Sequence, residues 1–216
     1  MLSISAASCV AFNLLALFAA LEMGSLLAAR REPWRRLLVT SASYLLIAHL
    51  SVFVCGLAGM LAVLPVLLTV LAAAFLARLL NWRLEKSTVS ATPTSHRDPV
   101  QQEKTSFAFL AYAVFFGVCG LRVVQAGLDG TTFSWDDLSY HGTEVAQWLA
   151  DGRIGFTTFS YQTYYPFSSH LLLAWFMLPF GDDSYSSLTG LVWLGLTVVS
   201  IYSLTRDSKA SPWIAA

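Results

Sequence analysis

Long apolar segments alternate with short polar segments along most of this sequence. A segment of about 20 apolar residues is long enough to cross a bilayer as an α-helix. On this pattern we predict six membrane spans, with the start of a further helix at 211–216. The six predicted spans are 4–29, 37–57, 60–80, 107–128, 167–180 and 186–205. The predicted fold class is therefore all-α, a polytopic transmembrane helical protein.

The composition agrees with this pattern and excludes several classes of function. Hydrophobic residues make up 56% of the chain and charged residues 12%, with a mean hydropathy of +0.61. Soluble domains carry about 25% charged residues. The formal net charge is zero and no basic stripe is present, so we expect no nucleic-acid partner. The three cysteines all lie in apolar segments, where they read as small buried hydrophobes rather than disulfide partners or metal ligands.

The distribution of Lys and Arg predicts how the spans are oriented. Segment 30–36 carries four arginines, and segment 78–104 carries five basic residues against three acidic ones. Cytoplasmic loops carry the excess of basic residues, so both segments are predicted to face the cytoplasm. Alternation then places the N-terminus and segment 129–166 outside, although Arg206 and Lys209 near the end run weakly against this topology.

The same pattern of apolar and polar segments divides the chain into three regions. Residues 1–86 form a three-span membrane region. Residues 87–105 lack any apolar periodicity and are predicted to be a flexible cytoplasmic linker. Residues 106–216 hold span 4, the outer loop 129–166, spans 5 and 6 and the start of span 7.

The outer loop is predicted to carry a short amphipathic helix over residues 138–150. Its apolar face holds Val145, Trp148 and Leu149, and Gly152 is expected to end it. Such a helix suits the membrane interface, with Trp148 as an anchor. The polar residues at i, i+3 and i+6 are His141, Glu144 and Gln147.

Two adjacent carboxylates precede this helix. Ser134 and Asp137 fit a capping box, in which two side chains satisfy the first amides of a helix, and we weigh this role of Asp137 equally against a chemical one. Asp136 has no such local role. A carboxylate near the outer membrane surface is well placed to take a proton from a nucleophilic hydroxyl.

The loop resembles a known family in several of its residues. These are Trp135-Asp136-Asp137-Leu138-Ser139-Tyr140-His141, then Trp148-Leu149 and Gly152, then Tyr165-Pro166 leading into an apolar helix. They look like the first extracytoplasmic loop of GT-C class membrane glycosyltransferases. Within this class, the loop more closely resembles the bacterial branch that is similar to protein O-mannosyltransferases and to the aminoarabinose transferase of lipid A. The resemblance covers about residues 107–216.

The resemblance implies an enzyme that moves a sugar from a polyprenyl-phosphate donor to an acceptor hydroxyl at the outer face of a bacterial inner membrane. The acceptor would be a glycan, a lipid or a protein. The catalytic aspartate of the family falls on Asp136, with Asp137 in the more variable second position. Residues expected to contact substrate are Tyr140, His141, Glu144, Arg122, Tyr165 and His170.

Each of these assignments has a plainer alternative. Arg122 would stabilise the leaving phosphate, or it snorkels from the end of span 4. His141 and Glu144 would contact substrate or bind Mg²⁺ or Mn²⁺ with Asp136, or they form a solvated helix face. His170 lies at the outer start of span 5, where it would face the acceptor or the phosphate. No cofactor is otherwise expected.

The chain also departs from the family. Three spans precede the catalytic loop here, and members of the family have many more helices. We therefore expect this chain to be the N-terminal portion of a longer transferase and to be inactive by itself. The competing classes are a non-catalytic membrane subunit and a lipid-linked glycan transporter, which would show Gly/Pro-interrupted helices with midplane charges.

Two polar residues inside the predicted spans have local interpretations. Glu22 in span 1 is costly in a membrane unless it is paired, and we expect a helix–helix hydrogen bond. His49 in span 2 is expected to make an interhelical polar contact rather than to relay protons.

Overall fold

The computed structural model describes residues 4–28, 33–87, 141–156, 168–183 and 185–207, together with Gly117 and Leu121. Within these residues the chain forms six helices and no strand, so the all-α prediction is confirmed for this part of the chain. The helices are α1 (Ile4–Ala28), α2 (Pro33–Leu57), α3 (Val63–Ser87), α4 (Gly142–Asp151), α5 (Ser168–Met177) and α6 (Leu188–Asp207).

The first three helices are long and apolar enough to cross a membrane, as predicted. Each has 25 residues, which corresponds to about 37 Å against a hydrocarbon core of about 30 Å. Helix α2 starts earlier than predicted, because a proline is favourable at the first helical position and Pro33 takes it. Helix α3 continues past residue 80 because the Arg, Leu, Glu and Lys residues that follow are good helix formers.

The rest of the predicted spans are supported only in part. Of span 4 only Gly117 and Leu121 are described, both as helical, and residues 88–105 of the linker lie outside the described residues. Helix α5 has ten residues, about 15 Å, which is half the thickness of the hydrocarbon core. Pro179 disfavours a helical conformation in the residue before it, and Gly181, at φ +72°, donates its N–H to Met177 O at 2.8 Å. Span 5 is therefore shorter than predicted, and six crossings stay a prediction.

The three long helices pack through small residues. Helix α1 packs against both α2 and α3, and its buried face carries Ala16, Ala19 and Ala20. Small side chains allow the helix backbones to approach closely, which drives helix packing where no water is present. Large apolar side chains such as Leu14 and Phe75 point outward and are 61% and 70% exposed, as expected for helices that face lipid.

Glu22 connects α1 to α3 near one end of this three-helix unit. Asn81 Nδ2 donates to Glu22 Oε2 at 2.6 Å, and Arg78 Nη1 lies 3.2 Å from Glu22 Oε1. The predicted helix–helix hydrogen bond is confirmed. The pairing also removes the cost of an uncompensated carboxylate among apolar helices.

The segment after α4 is hydrogen-bonded to the turn between α2 and α3. Leu61 N donates to Gly152 O at 2.7 Å, and Ile154 N donates to Gly56 O at 3.0 Å. A Cβ atom on Gly56 would lie 2.4 Å from Ile154 Cγ1, so only glycine permits this approach. The loop helix and the α2–α3 turn therefore lie at the same end of the helices, as the alternation of spans predicts. We call this contact the turn–loop contact.

Helix α5 is held by polar contacts to α1 and α2. His49 Nε2 lies 2.7 Å from Ser168 O at the start of α5, so the predicted interhelical contact of His49 is confirmed. Further along, Asn13 Oδ1 accepts hydrogen bonds from the Tyr44 hydroxyl and, at 3.3 Å, from Trp175 Nε1. Residues 170–177 of α5 are all buried.

We expect the substitution Gly56→Val to destabilise the protein by about 1–3 kcal/mol, because the new side chain overlaps Ile154 and forces the turn–loop contact apart. Thermal unfolding of the purified protein in detergent measures the effect. Gly190→Ala is the matched control, since a Cβ atom there meets nothing within 4 Å. Equal unfolding temperatures for Gly56→Val and wild type would contradict the close approach.

Candidate functional site

Helix α4 lies where an amphipathic helix is predicted, and its end is confirmed. It runs over Gly142–Asp151, and Gly152 follows at φ +65° with its N–H directed at the last carbonyl groups of the helix. One face of the helix is buried, with Val145 at 0% and Trp148 at 1% exposure. Trp148 Nε1 donates to Gly155 O at 2.8 Å, so this side chain packs inside the protein rather than anchoring the helix at an interface.

Glu144 also lies on the buried face of α4, which corrects the alternative that His141 and Glu144 form a solvated helix face. Glu144 is 0% exposed, whereas Gln147 is exposed and bonds Asp151. Each helical residue turns the chain by about 100°, so Glu144 stands beside Val145 and one turn before Trp148. Its position on the helix therefore follows the apolar side chains.

Two helices bring a carboxylate and two imidazoles together, and we call these residues the His–Glu cluster. Helix α4 and the residue before it supply Glu144 and His141, and the first turn of α5 supplies His170. His170 Nε2 lies 3.2 Å from Glu144 Oε2 and 3.0 Å from His141 Nδ1. The two imidazole rings are 4.6 Å apart at their centroids, and the Trp148 ring is 5.7 Å from that of His170.

The cluster is buried to different degrees along its length. The side chains of Glu144 and His170 have no exposed surface, and His141 is half-buried. A buried carboxylate is costly without polar partners, and the imidazole of His170 is a polar neighbour of Glu144 at 3.2 Å. A carboxylate behind an imidazole is an arrangement that can orient the ring and hold or pass a proton.

Three of the eight predicted site residues meet in this cluster. The contact of His170 with Glu144 could not be read from spacing, because 26 residues separate them in the sequence. The only signals were the i, i+3 spacing of His141 and Glu144 and the position of His170 at the start of an apolar segment. The other predicted site residues lie outside the described residues: Arg122, Asp136, Asp137, Tyr140 and Tyr165.

The described residues do not provide a set of ligands for the divalent metal that was considered as an alternative. In the described ranges, no group of three or more His, Cys, Asp or Glu side chains is arranged to hold a metal ion. His141 Nδ1 and His170 Nε2 form a hydrogen bond at 3.0 Å, and Glu144 Oε2 lies 3.2 Å from the same His170 nitrogen.

Comparisons of the chain with protein-family models, with curated proteins and with solved structures find no match. The resemblance to GT-C glycosyltransferases therefore depends on the residues of the outer loop and the adjoining spans. The His–Glu cluster is an independent observation on the same part of the chain.

We expect Glu144→Ala to cost about 1–3 kcal/mol in the free energy of unfolding, because it removes a buried polar partner of His170. Glu144→Gln retains a polar group and is expected to cost less. Chemical denaturation in detergent provides the measurement. Gln147→Ala, one turn along on the exposed face, is the control and should change stability by no more than about 0.5 kcal/mol. A similar small effect for Glu144→Ala would contradict the buried contact.

Proposed function

We propose that this chain belongs to a membrane glycosyltransferase that moves a sugar from a polyprenyl-phosphate donor to an acceptor hydroxyl. Asp136 acts as the general base. The observation that carries the proposal is the convergence of His141, Glu144 and His170, because His141 follows Asp136 by only five residues. The sequence motif and the buried polar cluster thus mark the same short segment.

The proposed reaction is a single displacement at the anomeric carbon. The Asp136 carboxylate takes the proton of the acceptor hydroxyl while its oxygen forms a bond to that carbon. The bond to the phosphate oxygen breaks, its electron pair leaves with the polyprenyl phosphate, and the configuration inverts. A positioned base contributes about 10²–10⁴-fold to such a step.

The His–Glu cluster would serve this reaction through His141. Glu144 and His170 are inaccessible, so His141 is the member of the cluster that a substrate can reach. We infer that the other two hold its ring in place. A hydrogen-bond donor or cation is needed beside the departing lipid phosphate, and His141 and Arg122 are the candidates for that role.

The location of the cluster supports a lipid-linked donor. The turn–loop contact ties the segment after α4 to one end of three helices of membrane-spanning length. A polyprenyl phosphate keeps its chain in the bilayer and its phosphate at the surface, where the ends of such helices lie. The distribution of Lys and Arg predicts that this end faces outside, and the resemblance implies that the membrane is a bacterial inner membrane.

Two observations favour the competing classes. The complete burial of Glu144 and His170 would also suit a purely structural contact in a non-catalytic subunit. The short helix α5, ended by Pro179 and Gly181, has the interrupted form found in transporters. Against transport, the carboxylate of Glu22 is already paired with Arg78 and Asn81. It therefore does not offer an open binding site for a transported ion.

We expect Asp136→Asn to lower the transfer rate by about 10²–10⁴-fold without changing the amount of folded protein, because the amide cannot accept the proton. The assay follows transfer of a labelled sugar from polyprenyl phosphate in membranes that contain the full protein. Asp151→Asn, at the exposed end of α4, is the matched control and should keep the wild-type rate.

A wild-type rate in Asp136→Asn would remove Asp136 from catalysis and favour the non-catalytic subunit. Asp137→Asn separates the two roles of the acidic pair. If Asp137 caps the helix, the substitution should lower stability more than the transfer rate. If Asp137 is a second catalytic carboxylate, the substitution should lower the transfer rate alone.

A further inference from the structure

We propose that the end of the three-helix unit opposite the His–Glu cluster binds the phosphate of an anionic phospholipid, with Arg36 and Arg78 as its principal ligands. This inference is independent of the proposed transferase activity. It concerns the other end of α2, since Arg36 lies 20 residues, or about 30 Å, from Gly56 along the helix.

The two arginines are held beside the same turn of α1. Arg36 Nη2 donates to Ser25 Oγ at 2.6 Å, and Arg78 Nη1 lies 3.2 Å from Glu22 Oε1. Glu22 and Ser25 are three residues apart on one helix, so their side chains are neighbours on its surface. Helices α2 and α3 thus each direct one guanidinium to a shared position at the end of α1.

Both guanidinium groups keep donors for a further partner. The guanidinium group has five N–H donors. Within the described residues, Arg36 donates to Ser25 and Arg78 to Glu22, one contact each. Arg36 is exposed, and the Arg78 side chain is 55% exposed. Both can therefore contact a ligand from outside the bundle.

The local charge favours an anion at this position. Arg35 and Arg83 add two positive charges near this end, and the charges of Glu85 and Lys86 at the end of α3 cancel. The carboxylate of Glu22 is 12% exposed and is also bonded by Asn81, so it faces the inside of the bundle rather than a ligand. Arginine forks match the geometry of phosphate oxygens and bind them in pairs.

The surroundings identify the phosphate as that of a lipid. Trp34 lies under the Arg35 guanidinium at 4.8 Å, and Trp82 is 46% exposed, which is typical of tryptophans at a membrane interface. Leu37 and Leu80 stand next to the arginines and are 50% and 40% exposed. A ligand here meets basic groups and apolar surface together, as a phospholipid requires and a free phosphate ion does not.

The test uses the purified full chain in a mild non-ionic detergent with matched lipid additions. We expect phosphatidylglycerol to raise the unfolding temperature by several degrees, and phosphatidylcholine or inorganic phosphate at the same phosphate concentration to leave it unchanged. Arg36→Gln should remove at least half of that shift. Arg153→Gln, an exposed arginine next to the turn–loop contact, should keep all of it.

Two further measurements separate binding from folding. Ser25→Ala removes the anchor of Arg36 but keeps its charge, so most of the phosphatidylglycerol shift should remain. In the wild type, the shift should shrink when salt rises from about 0.05 to about 0.5 M, because salt screens an exposed charge contact. An equal shift with inorganic phosphate, a full shift in Arg36→Gln or a salt-independent shift would each overturn the proposal.

Discussion

The turn–loop contact is the constraint on which the candidate site depends. Two backbone hydrogen bonds connect the segment after α4 to the α2–α3 turn, and Gly56 leaves room for Ile154 between them. Val145 and Trp148 of α4 also share one apolar core with Val52 and Cys55 of α2. With the turn–loop contact in place, the buried face of α4 turns toward α5, and Glu144 reaches His170. The His–Glu cluster therefore depends on the turn–loop contact.

Helix α2 transmits this constraint through the rest of the molecule. It packs against α1, α3, α5 and α6, and its C-terminal end forms one side of the turn–loop contact. His49 holds the first residue of α5, and Tyr44 joins Asn13 in holding Trp175. Hydrogen bonds between helices in apolar surroundings contribute about 0.6–2 kcal/mol each. A few such bonds therefore suffice to fix α5, which is too short to hold its place by spanning the bilayer.

The sequence predicted those features that depend on local pattern. Hydropathy located α1, α2 and α3, the spacing of Val145 and Trp148 located α4, and Gly152 marked its end. Interhelical polar contacts of Glu22 and His49 were predicted, because a polar side chain inside a membrane needs a polar partner. The sequence did not identify the partner residues. The predicted span 5 continued to residue 180, whereas helix α5 ends at Met177, two residues before Pro179.

Features that depend on tertiary contacts could not be predicted in this way. The spacing of Glu144 fits a solvated face as well as a buried one, and only the approach of α5 decides between them. The pairing of Gly56 with Ile154 joins residues 98 positions apart, and no periodicity relates them. The catalytic assignment of Asp136 stays a prediction from the motif alone, because the residue lies outside the described part of the chain.

A disulfide trap across the turn–loop contact tests the central claim most directly. In a variant without the three native cysteines, Gly56→Cys and Ile154→Cys would place their Cβ atoms about 3.2 Å apart, close to the 3.5–4.5 Å of a disulfide. Mild oxidation in the membrane should therefore join them in most molecules, as peptide mass mapping would detect. Ile154→Cys with Gly190→Cys is the control and should stay reduced, because Gly56 is unchanged and a Cβ atom at Gly190 meets nothing within 4 Å. Equal yields from the two pairs, or no bond in the first, would contradict the turn–loop contact and the site built on it.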